Sequence, residues 1–152
     1  MDFTESDIVV CLDILEKTLG KKYAKEFESD LINGFNLELK GDDDYSFLKR
    51  RIAVLNGKTV AIAGIYRLTK HPLNYMGVDW FSVDPRYQRN GIGKKLMNWM
   101  IEEAINNHQE FLFVWATEEA VSFYNQFGFV NSDIELTPRE TKILLIKKLS
   151  SF

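Results

Sequence analysis

Between Val83 and Leu96 the chain reads Val-Asp-Pro-Arg-Tyr-Gln-Arg-Asn-Gly-Ile-Gly-Lys-Lys-Leu, a strand that passes through a loop with two closely spaced glycines into the start of a helix. This junction constrains the fold more than any other stretch. The first backbone N–H groups of a helix lack intrahelical partners, its dipole places about half a positive charge at that end, and glycine lets an anion approach the main chain. Arg89, Lys94 and Lys95 add formal positive charge at the same place. The segment therefore has the make-up of an anion site. Two familiar phosphate motifs fail on it: a P-loop needs four residues between its glycines and then Gly-Lys-Ser/Thr, and the dinucleotide fingerprint needs a glycine where Leu96 stands. The glycines alone fit a plain turn at Asn90-Gly91, with Gly93 a packing residue, equally well.

The rest of the pattern places this junction in a mixed α/β domain. Ile8, Leu12, Leu15 and Leu19 recur at helical spacing and stop at Gly20; Tyr23, Phe27 and Leu31 predict a second helix over Tyr23–Ile32, ended by Asn33-Gly34. The acidic Gly41-Asp42-Asp43-Asp44 run reads as a loop. Arg51–Leu55 and Thr59–Leu68 flank Asn56-Gly57-Lys58, which predicts an antiparallel hairpin. Tyr75–Val83 is a further strand, in which the large neighbours Trp80 and Phe81 break the period of two, as a bulge or burial on both faces would. Gly91–Asn107 is the clearest helix, with Ile92, Leu96, Met100 and Ala104 in one row. Phe111–Trp115 is a short apolar strand suited to the middle of a sheet. Ala120, Phe123, Tyr124 and Phe127 mark a late helix, and Lys142–Leu149 closes the chain as a strand, with Phe129–Glu135 as its partner. The order is ααβββαβαββ.

Composition narrows the class. A chain of 152 residues, 45% hydrophobic and 27% charged, is one globular domain. The lone Cys11 makes no internal disulfide, and with His71 and His108 it gives too few ligands for a zinc cage. Cys11 lies among apolar helix positions and reads as a small core residue. Nineteen basic residues against 22 acidic give a formal charge of −3, which argues against nucleic acid as a partner. An acidic start and the lack of any apolar run near the roughly 20 residues of a bilayer crossing lead us to expect a cytoplasmic protein without a membrane partner.

Gln88-x-x-Gly91-x-Gly93, after a strand ending Val83-Asp84-Pro85, resembles the acetyl-coenzyme A signature of the GNAT superfamily of N-acetyltransferases, Arg/Gln-x-x-Gly-x-Gly/Ala. Ala120-x-x-Phe123-Tyr124-x-x-x-Gly128-Phe129 resembles that family's late helix and the turn after it. The match runs from about Arg51 to Leu149. It implies a mixed, mostly antiparallel central sheet with helices on both faces, splayed between the strands Tyr75–Val83 and Phe111–Trp115. It also implies a single N-acetyltransferase domain over 1–152, with about 1–50 a helical acceptor-side element and 51–149 an acetyl-coenzyme A platform. In addition to Gln88, the main-chain N–H groups of Arg89, Asn90, Gly91, Ile92, Gly93 and Lys94 would hold the pyrophosphate, and Phe81, Ser82 and Val83 would pair with the pantetheine amides like an extra strand. Tyr124 would stand beside the sulfur as general acid for the departing thiolate. Acetyl-coenzyme A is then the cosubstrate, and no metal is implied.

A lysine-like amine with a pKa of ~10.4 is protonated at pH 7 in all but roughly 1 in 10³ molecules, and neutralising it costs about 4–5 kcal/mol. A base or a wet exit for the proton is needed. Asp79 is the nearest carboxylate on the strand bordering the cleft and is the candidate base; its plainer reading is a solvent-facing strand residue. Without the resemblance, Tyr124 would be an ordinary core aromatic. With no activated Cys or Ser in view, transfer would be direct, through a tetrahedral intermediate. Two departures stand out. Many members carry Asn where this chain has Thr117, an N-cap whose hydroxyl could reach the cofactor, and only Met1–Phe3 is left for the family's first strand. A non-catalytic coenzyme A-binding or partner-binding module is the alternative. The acceptor would be a small-molecule or peptide amine, and an apolar patch among the 20 aromatic residues could form a homodimer.

Overall fold

Asn56 and Gly57 take φ of 52° and 77°, the positive values that a tight hairpin turn demands, and join β1 (Tyr45–Leu55) to β2 (Lys58–Leu68) in antiparallel register. The computed structural model describes residues 1–22, 24–25, 28, 45–68, 74–132 and 142–149. On the far edge of β2 lies β3 (Tyr75–Val83), also antiparallel, and beyond it β4 (Phe111–Ala116), which runs parallel to β3. A parallel step needs a crossover, and α2 (Ile92–Asn106) supplies it. β6 (Ile143–Lys148) and the two-residue β5 (Val130–Asn131) complete one sheet of order β1-β2-β3-β4-β6-β5. Two further helices are α1 (Ile8–Leu19) and the short α3 (Val121–Asn125).

The period of two along the strands sends alternate side chains to opposite faces, and each face carries its own core. Ala61, Ala63 and Ile65 of β2 join Met76, Val78, Leu112 and Val114 beneath Leu96, Met97, Met100 and Ala104 of α2, with Tyr124 of α3 and Phe129 in the same cluster. The intervening residues face the other way. There Ile52 and Ile62 pack with Cys11 and Leu15 of α1, and Tyr66, Leu68 and Phe113 form an adjacent cluster. Helices thus cover both faces of a mostly antiparallel sheet, as expected. Among the described residues no helix is long and apolar enough to cross a membrane.

Three boundaries differ from the sequence pattern. β1 begins at Tyr45 rather than Arg51, so the expected helical segment 1–50 gives way to sheet before its end. The run Lys49-Arg50-Arg51 hides the strand, because each cation finds a local partner: Lys49 bonds Glu103 of α2 at 2.8 Å, Arg50 pairs with Asp79, and Arg51 lies over the Trp99 ring at 5.4 Å. The first strand survives as a single bridge. Asp2 opposes Arg51, the Phe3 N–H donates to the Arg50 carbonyl at 3.2 Å, and the Ile52 N–H to the Met1 carbonyl at 2.8 Å. The late helix spends its first turn, Glu118–Ala120, as 3-10, leaving five residues of α-helix. Of the expected second helix, Tyr23–Ile32, the described residues Ala24, Lys25 and Glu28 are helical, as are Lys21 and Lys22 just before it. Its remainder, the Gly41–Asp44 loop, His71 and the end of the predicted Phe129–Glu135 strand lie outside the described residues.

β3 and β4 are joined only at Tyr75–Phe111, Met76–Leu112 and Gly77–Phe113. The Tyr75 and Phe111 rings stack at 4.6 Å to close this end. At Gly77 the Tyr66 and Phe113 rings meet edge to face at 6.0 Å, and a Cβ there would stand 2.5 Å from Tyr66 and 2.8 Å from Phe113. Gly77→Ala is therefore expected to destabilise the fold by about 1–3 kcal/mol, an overpacking penalty read from the urea midpoint.

Candidate active site

Past Gly77 the edge of β3 turned toward β4 makes no further strand pairing. A bulge sets its direction. Asp79 opposes Gly64 and Ser82 opposes Ile62, so Trp80 and Phe81 together stand against Ala63. Trp80 takes φ of 40°, a left-handed value that a bulky residue adopts only when its surroundings hold it there. The extra residue puts Trp80 on the same face as Asp79, partly buried against α1, and delivers Phe81, also partly buried, to the α2 side. Both readings of the broken period hold together.

The loop after β3 leads into the N-terminus of α2. Asp84 caps a 3-10 turn, Pro85–Tyr87, and the Gln88 side chain donates to the Val83 carbonyl at 3.1 Å, folding the loop back on the strand end. Arg89 and Gly91 have φ of 68° and 77°, and left-handed residues in such a loop turn main-chain N–H groups toward a common point. Gly91 is the N-cap residue of α2, and no side chain caps the helix. Arg89, Lys94 and Lys95 are exposed around it. No atom lies within 4 Å of where a Gly91 Cβ would be. Open space, uncapped donors and three cations fit a pyrophosphate, with Ile92, Gly93 and Lys94 as the first donors of a 15-residue helix.

Tyr124 stands on the α2 side of the sheet, 6% exposed, its ring edge-on to Phe81 at 6.4 Å, Phe123 at 5.5 Å and Phe129 at 5.4 Å. Burial pushes its phenol well above the usual tyrosine range, so it keeps its proton at any ordinary pH. Phe123 and Phe81 also flank Gly93, at 3.5 and 3.7 Å from its Cβ position, which links the helix terminus to Tyr124 through packed rings. Phe123 was only one of a stripe of apolar residues in the sequence.

Asp79 lies elsewhere. It belongs to the α1 face, where its Oδ2 accepts from Arg50 Nε at 2.5 Å, with side-chain exposures of 7% and 5%. The sheet thus separates it from Tyr124. Ser82 also points to the α1 face, its hydroxyl 3.0 Å from that of Thr18, and it opposes Ile62 of β2. Thr117 occupies the N-cap position of the 3-10 turn, and its side chain makes no capping hydrogen bond. Cys11 is fully buried, and burial together with Asp7 pushes its thiol up to about 12. It is no nucleophile.

The family model for the acetyltransferase (GNAT) domain matches residues 19–144. The chain belongs to the GNAT superfamily, whose fold and class of chemistry are those of acyl and acetyl transfer. No curated protein matches the sequence. Among solved structures, a GNAT-family acetyltransferase from Staphylococcus aureus Mu50 superposes with a TM-score of 0.78 at 19% identity, covering 99% of this chain and 98% of that one. The PaiA N-acetyltransferase of Thermoplasma acidophilum, in complex with coenzyme A, gives 0.68 at 12% identity, covering 97% and 96%. N-acetylglutamate synthase from Neisseria gonorrhoeae, complexed with coenzyme A and L-arginine, gives 0.69 at 15% identity and covers 99% of this chain against 33% of its own.

Asp84 ties the loop to the sheet. Its N–H donates to the Val60 carbonyl at 2.8 Å, and its carboxylate accepts from the Arg86 Nη2 at 2.9 Å, which with Arg86's other hydrogen bonds holds its pKa down to about 2. Because the folded value lies below the ordinary 3.8, this stabilisation is complete above that pH and is lost as pH falls through about 2. Asp84→Asn is expected to remove about 1 kcal/mol of the acid-dependent loss in that window, Arg86 being largely exposed, as measured by unfolding at stepped pH.

Proposed function

We propose that this protein is an N-acetyltransferase that takes acetyl from acetyl-coenzyme A and passes it directly to a primary amine. The observation that carries the reading is the meeting of an unpaired β3 edge, an uncapped α2 N-terminus with exposed Arg89, Lys94 and Lys95, and a protonated Tyr124 in one continuous region. The coenzyme A complexes of PaiA and N-acetylglutamate synthase, which have the same fold, support that choice of cosubstrate.

On this reading Arg89, Asn90, Gly91, Ile92, Gly93 and Lys94 bind the pyrophosphate through main-chain N–H groups, and Gln88 keeps the loop in place. The edge of β3 at Phe81, Ser82 and Val83 aligns the pantetheine amides as a neighbouring strand would. Bound acetyl-coenzyme A supplies an activated thioester. Tyr124 holds a proton on its hydroxyl for the leaving sulfur, and Phe81, Phe123 and Phe129 fix its ring. With Cys11 buried and its thiol protonated, transfer needs no covalent enzyme intermediate. Asp79 is poorly suited as base, because it lies across the sheet from Tyr124 with its Oδ2 accepting from Arg50 Nε. The amine's proton is assigned to solvent.

Purified protein is expected to release free thiol from acetyl-coenzyme A with at least one member of an amine panel. Tight binding of coenzyme A without thiol release would instead mark a non-catalytic module, and no binding at all would sink both. Gly91→Val should weaken coenzyme A binding about tenfold or more in calorimetry, since a β-branched residue at left-handed φ costs about 1–3 kcal/mol. Tyr124→Phe should lower kcat by about 10²-fold with coenzyme A affinity unchanged. Unchanged turnover would remove Tyr124 from the mechanism.

A further inference from the structure

Arg50, Gly64 and Asp79 stand abreast in one row across β1, β2 and β3, since Arg50 opposes Gly64 and Gly64 opposes Asp79. The side chains of the two outer residues meet over the middle one. A Cβ on Gly64 would lie 2.8 Å from Arg50 Cγ and 3.1 Å from the Asp79 carboxylate, so only glycine leaves room for the ion pair to close flat on the sheet. Both residues are buried, at 8% and 6% exposure. The next residue along β3 is Trp80, where the bulge begins.

We propose that the Arg50–Asp79 pair, closed across Gly64, is a clamp that positions the cofactor-binding edge of β3. The physical reason lies in register. A strand that slips by one residue exchanges its two faces, and a bulge leaves β3 free to place its extra residue earlier or later. Fixing Asp79 immediately before the bulge compels Trp80 to absorb the irregularity. Phe81 is then delivered to the opposite face against Tyr124. A buried ion pair contributes little net stability compared with apolar residues of similar size, but it admits one geometry only. Asp79 is thus a positioning residue. The proposal rests on the acetyltransferase reading for its consequence, though not for the clamp itself.

The test uses the full chain with Arg50→Met/Asp79→Leu, an apolar pair of similar bulk, and Gly64→Ala, which keeps the carboxylate but intrudes between the partners. Three quantities are measured: thermal midpoint, amide hydrogen exchange over residues 79–83, and calorimetric affinity for coenzyme A together with kcat. The double variant should keep a midpoint near the parent's, exchange faster at 79–83 while the 55–58 turn is unchanged, bind coenzyme A more weakly, and lose about tenfold or more in kcat. Gly64→Ala should move exchange and affinity in the same direction, and it carries the test if the double variant does not fold. Unchanged exchange at 79–83 overturns the clamp whether or not the parent binds coenzyme A. Faster exchange with unaltered affinity overturns its link to the cofactor. A fall in kcat alone, with exchange and affinity as in the parent and the acidic limb of the pH–rate profile gone, would make Asp79 the base and overturn the proposal. A parent that binds no coenzyme A defeats the functional reading separately.

Discussion

The separation of β3 from β4 after Gly77 is the constraint on which the rest of the molecule depends. Strands inside a sheet satisfy their main-chain groups on both edges, and a strand that leaves its neighbour must find partners in water or in a ligand. Here the stacked Tyr75 and Phe111 rings and the crowded glycine hold one end shut, while the bulge turns the other away. The result is an edge in the middle of the sheet rather than at its border. On the proposed reading, an extended chain carrying amide groups, with a polyanion at one end, would fit such an opening: the amides would meet the strand, and the charge would meet the helix that begins where the strand stops.

The electrostatics follow the same geometry. The net charge of −3 describes the chain as a whole, yet the N-terminus of α2 gathers Arg89, Lys94 and Lys95 around donors that no side chain caps. Asp84, the nearest buried carboxylate, is occupied by Arg86 and by its cap on the turn, and so leaves that positive end uncompensated. On the opposite face, Asp79 and Arg50 neutralise each other beneath α1.

Much of this was legible in the sequence, for identifiable reasons. Asn56-Gly57 has little choice but a turn, the α2 stripe is long enough to average over local noise, and the adjacent large rings of Trp80-Phe81 break the polar–apolar alternation, as a bulge or burial on both faces would. The start of β1 was hidden because three cations in a row suggest solvent, although Arg50 has the same parity as Leu48 and Ile52 and so points inward once the strand is extended. The partner of Asp79 was hidden with it. A carboxylate on a strand near a cleft invites assignment as a base, whereas its true neighbour is 29 residues away in the chain and two strands across the sheet. Phe123 belonged to the apolar row and to the late-helix motif, but neither pointed to the anion site, since only the packed structure brings it beside Gly93.

The most direct measurement is a titration of ¹⁵N-labelled protein with coenzyme A, followed by amide chemical shifts. The largest perturbations are expected at Phe81, Ser82 and Val83 and from Arg89 to Lys94, with the β1–β2 turn at Asn56-Gly57 unmoved. Saturable binding whose perturbations miss both the β3 edge and the start of α2, or the absence of any perturbation, would contradict the placement of the cofactor between the parted strands.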